Sequence, residues 1–151
     1  MEGGGCSGAL ISSRHVLTAA HCFFFRTNNT RRPTIGDIGY GSQKISDTKL
    51  ASVSNVEINP TYVNYPLSGS DTAIVTLTEP VTFGNDARPL CLPANPRQQY
   101  VGHKAFAAGW GHTKRVGNGR NVDELKEARV GILDNRKCSR IARNKSIRFS
   151  Q

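Results

Sequence analysis

The chain has 151 residues, 37% of them hydrophobic and 21% charged, with a net charge of +9. That length suits one domain or two small lobes, and that balance excludes an intrinsically disordered polymer. No apolar run reaches membrane-spanning length, and the basic charge comes without a helix-turn-helix, zinc-finger or RNA-binding aromatic signature, so neither a membrane nor nucleic acid is expected as a partner.

The opening MEGGG is not a signal peptide. Residues 7–19 read as strand, turn, strand: SGALIS, a turn at Ser13 and Arg14, then HVLTA. A short turn over residues 19–23 then carries His21. FRTNNTRRPT at residues 25–34 is a polar, basic loop, and IGDIGYG at residues 35–41 is a glycine-rich strand candidate. Residues 49–58 and 72–77 are further strand candidates, separated by the loop NPTYVNYPLSGS. KAFAAGWG at residues 104–111 reads as a strand entering a glycine bend. Residues 122–133 are ambiguous: their charges permit a helix, while Ala128, Val130 and Ile132 alternate as a strand face does. Arg136, Lys137, Arg140, Arg143, Lys145 and Arg148 crowd the last sixteen residues, so part of the excess charge belongs to a basic tail. Short apolar runs with no long helix between them predict an all-β, antiparallel chain.

Two residues stand out chemically. An imidazole titrates near neutrality, so His21 in VLTAAHC can take a proton from a weak nucleophile and return it to a leaving group. That work needs a carboxylate on the other ring nitrogen. Asp71 is the best candidate, because it opens the apolar stretch DTAIVTL, where a carboxylate at the strand mouth needs a partner. Alone, each has a plainer reading, as a core histidine and a strand-end cap. Four cysteines stand at 6, 22, 91 and 138, none spaced as CxxC, which argues against a zinc ribbon or a thioredoxin-type motif. Cys6 and Cys22 flank the strand–turn–strand unit and could staple it, a loop closure of about 3 kcal/mol in the chain-entropy model. Cys6, His15, His21 and Cys22 lack ordinary zinc-ligand spacing, so neither metal nor cofactor is expected. His15 falls on the strand at a position expected to serve packing. Asn28 and Asn144 head N-x-S/T sequons, candidate N-glycosylation acceptors if the chain is exported.

Taken in order, CSGALISSRHVLTAAHC, DTAIVTL, PLCLP and AGWG closely resemble the trypsin-like (chymotrypsin-fold) serine endopeptidases. VEINPTY is also similar to the segment that precedes that family's catalytic aspartate. The resemblance covers residues 5–138 and implies a double antiparallel β-barrel. The first lobe would run over about 5–103, the start of the second over about 104–138, and a basic tail over 139–151. It implies that His21 is general base and acid, that Asp71 orients it, and that a Cys6–Cys22 disulfide anchors the histidine loop. It further implies a secreted, oxidising setting, protein or peptide substrates, and a packing role for Trp110 between barrels.

The family's serine lies in a GDSGG motif downstream of a cysteine placed like Cys138, and neither GDSGG nor GxSxG occurs in these 151 residues. GDIG at residues 36–39 looks similar but precedes Asp71, the wrong order. Oxyanion-hole amides and a specificity pocket would go with the serine. The resemblance therefore implies a single peptidase domain truncated at both ends, inactive alone, with Cys91 and Cys138 unpaired and a first-lobe edge left open. A non-catalytic homologue acting as a binding module is the alternative function, and the tail leaves a weak anionic partner as an alternative to evenly spread surface charge.

Overall fold

A computed structural model describes residues 5–24, 36–62, 70–95, 97–111 and 122–144. The chain divides into two compact units, Met1–Leu92 and Pro93–Gln151.

In the first unit, β1 (Ala9–Leu10) turns back through residues 11–14 into β2 (His15–Thr18). Ser12 shapes that turn, its hydroxyl accepting from the amides of Arg14 at 3.2 Å and His15 at 3.1 Å. A 3-10 turn, Ala20–Phe23, follows β2 directly. β3 (Ile38–Tyr40) and β4 (Lys49–Ala51) pair antiparallel, with Gly41 at φ 82° allowing the chain to leave β3. β5 (Val53–Ile58) and β6 (Ala73–Leu77) complete a four-stranded antiparallel sheet in the order β1-β2-β6-β5.

β6 is bordered on both sides, by β2 and by β5, and its sequence AIVTL shows why. Ala73, Val75 and Leu77 alternate inward at 2%, 0% and 1% exposure, the period of two that puts one strand face into a core. Val16, Ala20, Phe23, Val56 and Val81 close around them, and Ile38, Tyr40 and Ala51 of the smaller hairpin pack against the same cluster. Gly8 runs so close to β2 that an added Cβ would stand 2.7 Å from Val16 Cγ1 and 2.9 Å from the Leu17 carbonyl oxygen.

In the second unit, β7 (Lys104–Gly109) and β8 (Lys126–Gly131) form an antiparallel pair, and α1 (Asn135–Asn144) follows. Among the described residues no helix is long and apolar enough to cross a membrane.

The expected antiparallel β architecture is the one the chain adopts, with three differences in detail. Residues 49–58 are not one strand: the chain breaks at Ser52, so that β4 pairs with β3 while β5 joins β6. The ambiguous stretch 122–133 contains a strand, β8. The first residues of the basic tail expected over 139–151 lie in a helix, α1, which begins at Asn135. Asp134 caps it, its Oδ1 accepting from the Arg136 amide at 2.8 Å and the Lys137 amide at 3.0 Å.

Candidate active site

Strand register brings His21 and Asp71 together across fifty residues of sequence. Thr18, the last residue of β2, pairs with Ala73, the first of β6. The turn that leaves β2 and the segment that enters β6 therefore lie at the same end of the sheet, and each contributes one residue.

The histidine turn is held from inside and outside. Ala20 and Phe23 are buried in the core at 0% and 9% exposure and Cys22 packs half-buried against it, which leaves His21 as the exposed residue of the turn. The Cys22 amide donates to the Ala19 carbonyl at 3.3 Å, and the Phe24 amide to the His21 carbonyl at 3.2 Å. Cys22 is bonded to Cys6 in a disulfide spanning sixteen residues, with Cα atoms 6.1 Å apart. The Thr18 hydroxyl also donates to the Ser7 carbonyl at 3.0 Å, tying the same two segments.

Asp71 meets His21 twice. Its Oδ1 accepts from the His21 amide at 2.9 Å, and its Oδ2 lies 2.8 Å from the ring Nδ1. Burial pushes the Asp71 carboxyl up. The hydrogen bonds from the His21 ring and amide, the imidazolium charge and the Ala20 amide outweigh that and hold it below the ordinary carboxylate value. An ionised carboxylate only accepts, so Nδ1 carries the proton of this bond, and in the neutral ring that leaves the lone pair on Nε2. The His21 side chain is 62% exposed and that of Asp71 32%, so the imidazole is open to an approaching group. The arrangement can abstract a proton at Nε2 and stabilise the resulting imidazolium.

Two neighbours escaped the sequence reading. The Ala20 amide joins the shell of the carboxylate, and Tyr62 lies within its field, its phenol pushed up by burial and by the Asp71 charge. Tyr62 also packs on Phe24, ring centroids 5.5 Å apart. Its place in VEINPTY, the segment whose resemblance sets it ahead of the aspartate, was the available signal.

The remaining candidates fall elsewhere. His15 does not pack in the core as expected: it is exposed, its Nδ1 2.7 Å from the Ser12 hydroxyl, because β2 turns Val16 inward instead. Donor atoms of Cys6, His21 and Cys22 lie within 4.8 Å of one another, yet zinc requires thiolates and both sulfurs are spent in the disulfide. Cys91 and Cys138 are free and exposed. Trp110 follows β7 and is half-buried. Asn28, and Ser146 of the Asn144 sequon, lie outside the described residues.

Residues 1–150 match the protein family described as Trypsin. The chain is similar to transmembrane protease serine 11C of Mus musculus, 31% identical over 134 residues, covering 89% of this chain and 30% of the relative. It is 34% identical over 138 residues to a venom protease of Bombus pensylvanicus, covering 89% of this chain and 55% of that protein. Among solved structures it resembles neuropsin, a serine protease of mouse brain, with a TM-score of 0.71 and 26% identity over 89% of this chain and 57% of that one. The chain thus spans between about a third and somewhat over half of the relatives it matches.

Proposed function

This chain belongs to the trypsin family of serine proteases, and on that premise we propose that it serves serine-type hydrolysis of peptide bonds, with His21 as general base and acid and Asp71 as the carboxylate that orients it. The observation that carries the reading is the 2.8 Å contact between Asp71 Oδ2 and His21 Nδ1, made while the ring remains exposed. In that arrangement Nε2 takes the proton of an attacking serine hydroxyl and later delivers it to the leaving amine. Asp71 meanwhile holds the tautomer and stabilises the imidazolium between the two steps.

The reading requires a nucleophile that these residues do not supply in the family's motif, since neither GDSGG nor GxSxG occurs in them. The 151 residues alone are therefore expected to be inert. The same observation favours a second reading, a non-catalytic homologue that binds through its surface. The Cys6–Cys22 disulfide supports a secretory setting under either reading.

The experiment is to recover the full transcript, express its product and assay peptide-ester hydrolysis with and without a serine-directed fluorophosphonate. Turnover that the reagent blocks, and that His21→Ala abolishes, supports the peptidase. A transcript without an in-frame GDSGG, or turnover indifferent to both treatments, sinks it and leaves the non-catalytic reading.

A further inference from the structure

The net charge of +9 is not shared between the two units. Residues 1–92 carry seven Lys and Arg against seven Asp and Glu, so the first unit is formally neutral. Residues 93–151 carry thirteen against four, which accounts for the whole excess. A basic surface spread for solubility would not divide in this way.

Within the second unit the charge has a structured focus. Arg136 and Arg140 are one helical turn apart on α1, and Lys137 lies beside them, all three exposed. Positions i and i+4 stand about 6 Å apart along a helix and share a face. Ile141, half-buried, falls away from Arg136 and Arg140 and lies one turn beyond Lys137, and all three cationic side chains remain exposed to solvent. None of the three side chains has an acidic partner among the described residues; the ion pair in this unit is Lys126 with Glu124. Asp134 spends an oxygen on the Arg136 and Lys137 amides, capping the helix. Like charges stacked one turn apart destabilise a helix, so this face holds repulsion that a polyanion would relieve.

We propose that the basic face of α1, built on Arg136, Lys137 and Arg140, docks a sulfated polysaccharide of the heparin type. Two guanidinium forks and an ammonium suit tetrahedral oxyanions repeated along a flexible chain, and a capped helix presents them without further ordering. The polysaccharide is chosen over nucleic acid because the Cys6–Cys22 disulfide belongs to an oxidising compartment, where sulfated glycans are the abundant polyanions. This docking stands apart from the peptidase reading, since it uses neither His21 nor Asp71.

The test measures binding of a size-defined heparin oligosaccharide to the full 151-residue chain and two variants of equal charge loss. One is Arg136→Gln/Lys137→Gln/Arg140→Gln; the other is Arg31→Gln/Arg32→Gln/Lys44→Gln, in the first unit. The α1 variant should weaken binding about tenfold or more with an unchanged circular dichroism spectrum, the first-unit variant less than about threefold. Affinity of the parent should also fall about tenfold or more between about 50 and about 200 mM NaCl. Equal losses in the two variants would reduce the effect to net charge and overturn the site. Tighter binding to a DNA duplex than to heparin would reassign the partner and overturn the glycan. Should the α1 variant misfold, the parent decides: it must prefer heparin to its desulfated form, and indifference between the two overturns the proposal.

Discussion

At Asp71 the balance between burial and hydrogen bonding has a measurable consequence in acid. The carboxyl titrates below its unfolded value of about 3.9, so near that pH the unfolded chain binds the proton more readily than the folded one. Its stabilising contribution is therefore complete above about pH 4 and disappears as pH falls through the lowered folded value. Denaturant titrations at stepped pH should show stability rising with pH across this window, and Asp71→Asn should flatten part of the rise. Asp86, lowered by its hydrogen bond from Lys49, supplies a component of the same sign that the variant leaves intact. Asp71→Asn also removes the group that keeps the proton on Nδ1. Nitrogen NMR of the ring should then show the Nδ1–H form losing its dominance, and in a catalytically complete protein kcat should drop by about 10⁴. At Gly8 the prediction is steric. An alanine methyl meets Val16 and the Leu17 carbonyl, so Gly8→Ala should cost about 1–3 kcal/mol in urea unfolding.

The elements differ in how plainly the sequence announced them, and burial explains the difference. β6 was legible because strands border it on both sides and one face is fully buried, which forces alternation onto AIVTL. Leu77→Ala should accordingly cost about 2–5 kcal/mol, read from the denaturation midpoint of the first unit. β8 lies exposed along its whole length, so the alternation of Ala128 and Val130 had no burial behind it, and the charges of residues 122–133 suited a helix as well. The break at Ser52 was hidden because β4 and β5 are both extended, and only their partners differ. α1 did carry a sign, Asp134 just ahead of its first turn, obscured by the density of charge behind it. The site was legible in another way. Nothing in the spacing of His21 and Asp71 links residues fifty apart; the motif resemblance joined them, and the Thr18–Ala73 pairing is the physical reason they meet.

For the whole molecule, the division of charge and the division of sulfur chemistry are separate matters. Two of the four cysteines are bonded and two are free and exposed. Thiol titration of the native chain should find two reactive groups, with reduction needed to reveal the others; none or four would contradict this arrangement. One of the bonded sulfurs, that of Cys22, belongs to a histidine turn fastened by several devices that do not involve the imidazole. They are the buried Ala20 and Phe23, the link to Cys6, and the main-chain contact from residue 21 to Asp71, which any amino acid except proline can make. Replacing His21 by Ala should therefore move the melting temperature by no more than about 2–4 °C. The framework is thus evolutionarily separable from the chemistry: a descendant could trade its histidine for another residue, fall silent as a catalyst, and still inherit the same shape to be put to other use.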